Sequence, residues 1–527
     1  MRITGRVGPV MVLVVAVATA AAGAAESIEV ELELVELDRP NQLGVYSWGE
    51  DRIGGPELQL LELAGGEGAG AWAEVRRQRQ AFQRLVREEP AYHGEPLRAV
   101  VTFGGREFPF ALDRAQPDGE VFDRLHFDTA GTGELTTTIV ADAEAGGAEN
   151  RWVPSGIVFP QVKVSVPGDE SDFRYCFTLQ VIAGLDRPRE LLYVQRLSED
   201  EDLLRVSGLW GGGYAIRNRA GRSELDPEAA VPVTLLFRAA CYRQGRFYLG
   251  DEEIHVALLD GNSNGRFSDQ ASRSEERTGA RYHAVRLGDR LVLGPAISTS
   301  SGDVVRISGE RTVHIGPLLS LGGTVYELYV APEGDRLTLA PTPRPLGAWT
   351  SPHGELRVTL VGEQGVFETV GKGMEPVAVP AGRWSVHSYT IRSRETETMA
   401  EAAIGGDGRG RDRDAVALLQ AIVPAAVPPL EVAADQMQEF PFGPPLRPVV
   451  EARWPQRIEF VRGALDLERV TVADPDDFNL DLYLSFLGAG GERVHDVTLG
   501  GSKPPAPRFE VLDPDGRVVV SGVFRYG

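Results

Sequence analysis

Cysteine is scarce in this sequence. The 527 residues hold two, Cys176 and Cys241, too few for a disulfide scaffold or a zinc site made of thiolates. The pair could form one bridge, although Cys241 also continues the apolar phase of Val233 to Ala239, as a buried free thiol would. Positive charge is short as well. Lys and Arg number 54 against 76 Asp and Glu, a net charge of -22, which argues against nucleic acid or an anionic membrane as partner. Eight scattered histidines include no pair at the spacing of a zinc-protease helix. There is no Gly-x-Ser-x-Gly nucleophile elbow, no phosphate-binding Gly-rich loop and no repeat of fixed period. These absences lower the odds of those enzymes only, because a glycosidase carboxylate pair would be invisible among so many acids.

Gly (61) and Pro (35) are plentiful, and 42% of residues are hydrophobic, a composition that favours short strands joined by turns around packed cores. The length calls for several domains. The expected fold is mainly β, with several β-sandwich domains in tandem, one helix in the N-terminal region and an immunoglobulin-like C-terminal domain.

Residues 1–25 read as an export signal. Arg2 and Arg6 precede the apolar Val10 to Val17, and Ala22-Gly23-Ala24 offers a cleavage site. An uncleaved anchor is the alternative, but the stretch is barely long enough and half Ala and Gly. The expectation is an extracytoplasmic chain, secreted or periplasmic, with no membrane insertion after cleavage.

Residues 26–150 form the first expected domain. Ile28 to Leu34 alternates apolar and charged residues as a half-buried strand does, with a phase slip at Leu34-Val35 that suggests a bulge. Trp72, Val75, Phe82, Leu85 and Val86 recur at helical spacing, predicting a helix over 71–89 that covers a sheet. Residues 151–345 are assigned to a central β domain or pair, 346–429 to a further β domain with a flexible Gly-rich loop at 405–414, and 430–527 to the immunoglobulin-like sandwich.

One stretch demands a particular chemistry. The segment Asp260-Gly261-Asn262-Ser263-Asn264-Gly265-Arg266 places oxygen-bearing side chains at loop positions 1, 3 and 5, a Gly at the sharp turn and a backbone carbonyl at position 7. Position 12 is Ala271 where a bidentate Glu normally closes the shell, so Asp269, or Glu275 or Glu276, would have to serve. The reading is a structural calcium site with Asp260, Asn262, Asn264, Arg266 and Asp269 as ligands, set between strands; an Asn-Gly-rich turn that binds nothing is the alternative. Asp128 to Thr136 copies the spacing but carries Ala130 at position 3, and reads as a degenerate loop or a plain turn. Asp474, Asp476, Asp477, Asn479 and Asp481 read better as a solvated acidic turn than as a cation site. Trp210 and Tyr214, separated by glycines, are candidate ligand-binding aromatics, for which burial in a β core is the competing explanation.

The strand-led Asp260 loop, the Pro380-Ala381-Gly382 turn and the closing Asp513-Pro514-Asp515-Gly516 hairpin resemble the modular β-sandwich proteins exported by environmental bacteria. The resemblance implies export and β modules and carries no activity. The expected function is a non-catalytic exported protein for binding, adhesion or surface assembly, with extracellular glycans or surface proteins as partners. The alternative is a secreted polysaccharide hydrolase with an unidentified carboxylate pair.

Overall fold

The computed structural model describes residues 27–40, 79–94, 96–117, 122–141, 157–182, 192–196, 203–208, 213–217, 234–273, 285–286, 288–300, 305–371, 375–393, 417–453, 456–462, 467–473, 481–499 and 506–524. The export signal, Trp210, the 405–414 loop, Glu275, Glu276 and the Asp474 to Asn479 cluster lie outside them, as does the side chain of Tyr214. The chain is mainly β, in mostly antiparallel sheets with one described helix; Gly213–Arg217 with Gln456–Arg462 and Leu346–Thr350 with Met437–Glu439 pair in parallel. No helix among the described residues is long and apolar enough to cross a membrane.

Alternation of side chains builds the first core. In Val162–Val166 the three valines are buried while Lys163 and Ser165 face outward, as the two-residue period of a strand requires. One continuous cluster of buried residues runs from Val30 to Leu339 and draws on four sheets. Its centre is aromatic: Phe103, Phe127, Phe177 and Phe237 stack in tilted and edge-on contacts, the closest pair being Phe103 and Phe177 at 4.8 Å. The expected boundary at 150/151 therefore does not divide the core, because strands on both sides need each other to leave water.

The phase slip in the opening strand has a different cause from a bulge. Ile28–Glu31 pairs with Arg336–Pro341, whereas Glu33–Glu36 pairs with Cys241–Leu249. The chain changes sheets at Leu32, whose side chain is buried and whose amide donates to the Asp335 carbonyl. The helix also ends sooner than its apolar spacing predicts. Its described part covers 79–85, and beyond it the amide of Arg87 is taken by the Gly133 carbonyl while Glu88 bridges to Glu134. A tertiary partner thus captures the last predicted turn. Phe82 anchors the helix against Val100, Ala111 and Leu135.

A second core lies between a three-stranded sheet and an eight-stranded one, around Trp349, Trp384, Tyr389 and Phe440. The eight-stranded sheet joins Glu355–Gly362, Gly382–Ser393 and Ala417–Ile422 to Arg493–Leu499, Asp481–Leu487 and Arg447–Arg453. Strands from both sides of residue 430 share this sheet, so Arg447–Arg453, Asp481–Leu487 and Arg493–Leu499 continue the preceding layer, whereas Gln456–Arg462 and Leu467–Ala473 join a separate sheet and Arg508–Leu512 with Val518–Val523 forms a hairpin of its own. The strands Leu318–Leu321 and Thr324–Val330 serve both cores: Leu319 and Tyr326 face the first, Leu318 and Val325 the second.

Cys176 and Cys241 are both buried and unbridged. The Cys241 thiol donates to the Cys176 carbonyl and accepts the Cys176 amide, each at 3.4 Å, and burial pushes the Cys241 thiol's pKa up. Of the two readings of the sequence, this is the free-thiol one. Unfolding without reductant is expected to expose two reactive thiols to a maleimide; an unlabelled, bridged pair would contradict this.

Candidate metal centre

The Glu252–Leu259 strand delivers Asp260 directly into the loop, and Ser272–Arg273 follows it, so the loop joins strands as expected. Asp260 has no solvent exposure. Its Oδ2 accepts the Gly265 amide at 2.9 Å and the Tyr175 hydroxyl at 2.8 Å, while Oδ1 accepts the amides of Asn262 and Asn264 at 3.2 and 3.3 Å. One carboxylate thereby winds the loop around itself. Ser263 and Gly265 both adopt positive φ, 56° and 80°, and at Gly265 a side chain would also strike Phe103.

Positions 3, 5 and 10 meet. The amide nitrogens of Asn262 and Asn264 both donate to Asp269 Oδ2, at 2.7 and 2.6 Å. Arg266 contributes its amide to Asn264 Oδ1, and its guanidinium reaches away from the loop toward the Gly104 carbonyl. Ala271, at position 12, is buried against Val285, Val361 and Val366 and helps anchor the loop's end.

The sequence reading missed Asp289. Its carboxylate, wholly buried, accepts the amides of Gly261 and Asp269, both at 2.8 Å, and so ties the loop's first turn to its last residue. Burial is the main cause raising its pKa well above the ordinary carboxylate value, followed by the charges of Asp260 and Asp269. Burial likewise raises Asp260 to about 6, against the lowering effect of the Tyr175 hydrogen bond. Among the described residues no Lys, Arg or His pairs with Asp260, Asp269 or Asp289. Buried carboxylates without a countercharge are costly unless protonated or neutralised by a cation.

The Asp128 loop provides an internal comparison. Asp128 Oδ1 accepts the amides of Ala130 and Thr132, and Oδ2 that of Gly133, the same offsets as around Asp260. Gly131 and Gly133 take the two positive φ positions, and Leu135 is buried where Phe267 is. The lining differs: Ala130, Thr132 and Thr137 stand in place of Asn262, Asn264 and Asp269, and the Thr129 and Thr137 hydroxyls bond each other at 3.1 Å. The Asp and the glycines therefore specify the turn, while the lining residues specify what it could hold.

Those lining groups carry only oxygen acceptors, the donor set of a hard cation such as calcium. Among the described residues no three His, Cys, Asp or Glu side chains gather as a metal cluster; a cation here would rely on Asn carbonyls and backbone as well as carboxylates. The side-chain amide hydrogens of Asn262 and Asn264 face Asp269 while their oxygens accept the amides of Asn264 and Arg266, so presenting both oxygens to a cation would exchange those bonds for metal contacts. Comparison with known proteins leaves the geometry as the sole guide to function: no family model, no curated protein and no solved structure matches this chain.

Proposed function

We propose that the chain is an extracytoplasmic binding or assembly protein whose first core is fastened by a structural calcium ion at the Asp260 loop. The observation that carries the calcium assignment is the full burial of the Asp260 carboxylate in a loop whose Asn262 and Asn264 side chains meet Asp269, without a basic partner for these acids among the described residues. Asp260, Asn262, Asn264, the carbonyl of Arg266 and Asp269 would hold the ion, and Asp289 would keep both ends of the loop in register from behind. The ion supplies positive charge to a buried acidic turn and leaves the surrounding sheets free to present surface. Export rests on the signal-like residues 1–25, and the binding role on stacked β layers supporting loops.

Purified mature chain, screened against glycans with and without calcium and read for both retention and new reducing ends, tests the role. Retention without cleavage supports it. New reducing ends would replace it with the polysaccharide hydrolase reading, and neither result with any glycan would leave surface proteins as the partner class to be screened.

A further inference from the structure

Away from the calcium loop, a second group of polar side chains is gathered on the sheet Leu97–Phe103, Arg106–Asp113, Arg124–Phe127, Thr137–Val140. His126 and Thr138 face each other across neighbouring strands, and His126 Nδ1 lies 3.0 Å from Thr138 Oγ1. The other ring nitrogen, Nε2, lies 4.0 Å from Asp113 Oδ2. His126 and Asp113 are 3% and 0% exposed, while Thr138 is open to solvent. A hydroxyl, an imidazole and a carboxylate thus stand in line, with only the hydroxyl at the surface.

We propose that Thr138 is a nucleophile for acyl transfer, with His126 as its general base and Asp113 as the residue that positions and balances the imidazole. This goes beyond the binding role and does not depend on it. The carboxylate beside Nε2 favours the proton on that nitrogen, leaving Nδ1 to accept the Thr138 hydroxyl. His126 Nε2, Asp113 Oδ1 and Arg124 Nε are all buried without a hydrogen-bond partner, so the resting relay retains polar capacity that the fold does not use. An imidazolium formed during reaction would draw Asp113 into that gap.

The surroundings set the protonation states. Burial, then the Arg124 charge, lowers the pKa of His126, against the raising effect of Asp113; His93 adds a smaller lowering effect. The ring is therefore a neutral base at pH 7. Burial works to raise Asp113, but the Arg124 guanidinium and the His93 amide more than offset it and keep the carboxylate ionised. Tyr92 packs edge-on against the His126 ring at 5.4 Å and fixes its plane. Among the described residues Thr137–Val140 pairs only with Arg124–Phe127, and in this proposal the amides along its other edge would donate to a developing oxyanion. Val140, 53% exposed, offers an apolar rest for an acyl chain.

The substrate class is an activated ester. Thr138 Oγ1 attacks the carbonyl carbon and its proton passes to His126 Nδ1. The bond to the leaving alcohol breaks, that oxygen recovers the proton, and Thr138 is left acylated; water repeats the sequence to release the acid. The full chain, incubated with p-nitrophenyl acetate, should gain one acetyl group that maps to Thr138 by peptide mass spectrometry. Thr138→Val should remain folded, with a modest loss of melting temperature from the unpaired His126 Nδ1, and lose the adduct, whereas Thr138→Ser should keep it. His126→Gln should slow labelling by about 10²-fold, and the wild-type rate should rise with an inflection below the ordinary histidine range. No adduct, an adduct on lysines alone, or an unchanged labelling rate in Thr138→Val would overturn the proposal.

Discussion

Calcium is expected to raise the melting temperature of the mature chain, chelator to lower it, and Asp260→Ala to abolish the difference. The loop brings few formal charges, with neutral Asn262 and Asn264 at two positions, so the dissociation constant should be about 10⁻⁴ to 10⁻³ M, as for extracellular modules. At a calcium concentration about 100 times that constant, binding to the folded state alone contributes about 2.7 kcal/mol. The pH dependence carries its own sign. Without calcium, Asp260 has a folded pKa of about 6, above its ordinary 3.8. Its contribution to stability is thus complete below the unfolded value and lost as the pH rises through about 6, and Asp289, also raised above the ordinary carboxylate value by burial, adds a loss of the same sign. The calcium increment should therefore grow over the same interval, because the ion takes over from the protons. Asp128→Ala is the control: it removes an equivalent turn-forming carboxylate and should destabilise without changing the calcium increment. Equal melting with calcium and with chelator, and no ion detected by equilibrium dialysis, would reduce the Asp260 loop to a turn.

Phe177→Ala is expected to cost about 3–5 kcal/mol and to loosen strands far from it in sequence. Phe177 is fully buried and touches Phe103, Phe127 and Phe237. Removing its ring leaves a cavity walled by strands from both sides of the expected boundary at 150/151. Hydrogen exchange in mild denaturant should show protection falling together in Leu97–Phe103, Phe173–Ile182 and Thr234–Ala239. Full protection of the first strand beside loss in the other two would show that 26–150 folds on its own core.

Much of the local structure was legible. Alternation announced the opening strands Ile28–Glu31 and Glu33–Glu36, and the Asp513 turn announced the hairpin around it, because a strand's two-residue period and a turn's positive-φ glycine are written in adjacent residues. The Asp260 frame was legible for the same reason: the backbone amides that Asp260 accepts within the loop lie at most five residues away. Asp269 was within reach of the same pattern. Asp289 was not, since it sits 28 residues from the Gly261 amide it binds and the Gly-Asp-Arg around it has no special composition. The only available signal was a lone acid preceding the apolar Leu291 to Leu293.

The sequence by itself determined the β character, the net negative charge, the turn at Asp260 and the oxygen-bearing side chains lining it. Tertiary structure alone decided that Val30 and Leu339 share a core, that the first strand changes sheets at Leu32, that the helix yields its last turn to Gly133, and that Asp113, His126 and Thr138 stand in line. The division follows the range of the forces involved. Backbone preference and side-chain alternation act between neighbours, whereas burial depends on which distant surfaces leave water together, and a buried charge acquires its chemistry from whatever those surfaces place beside it.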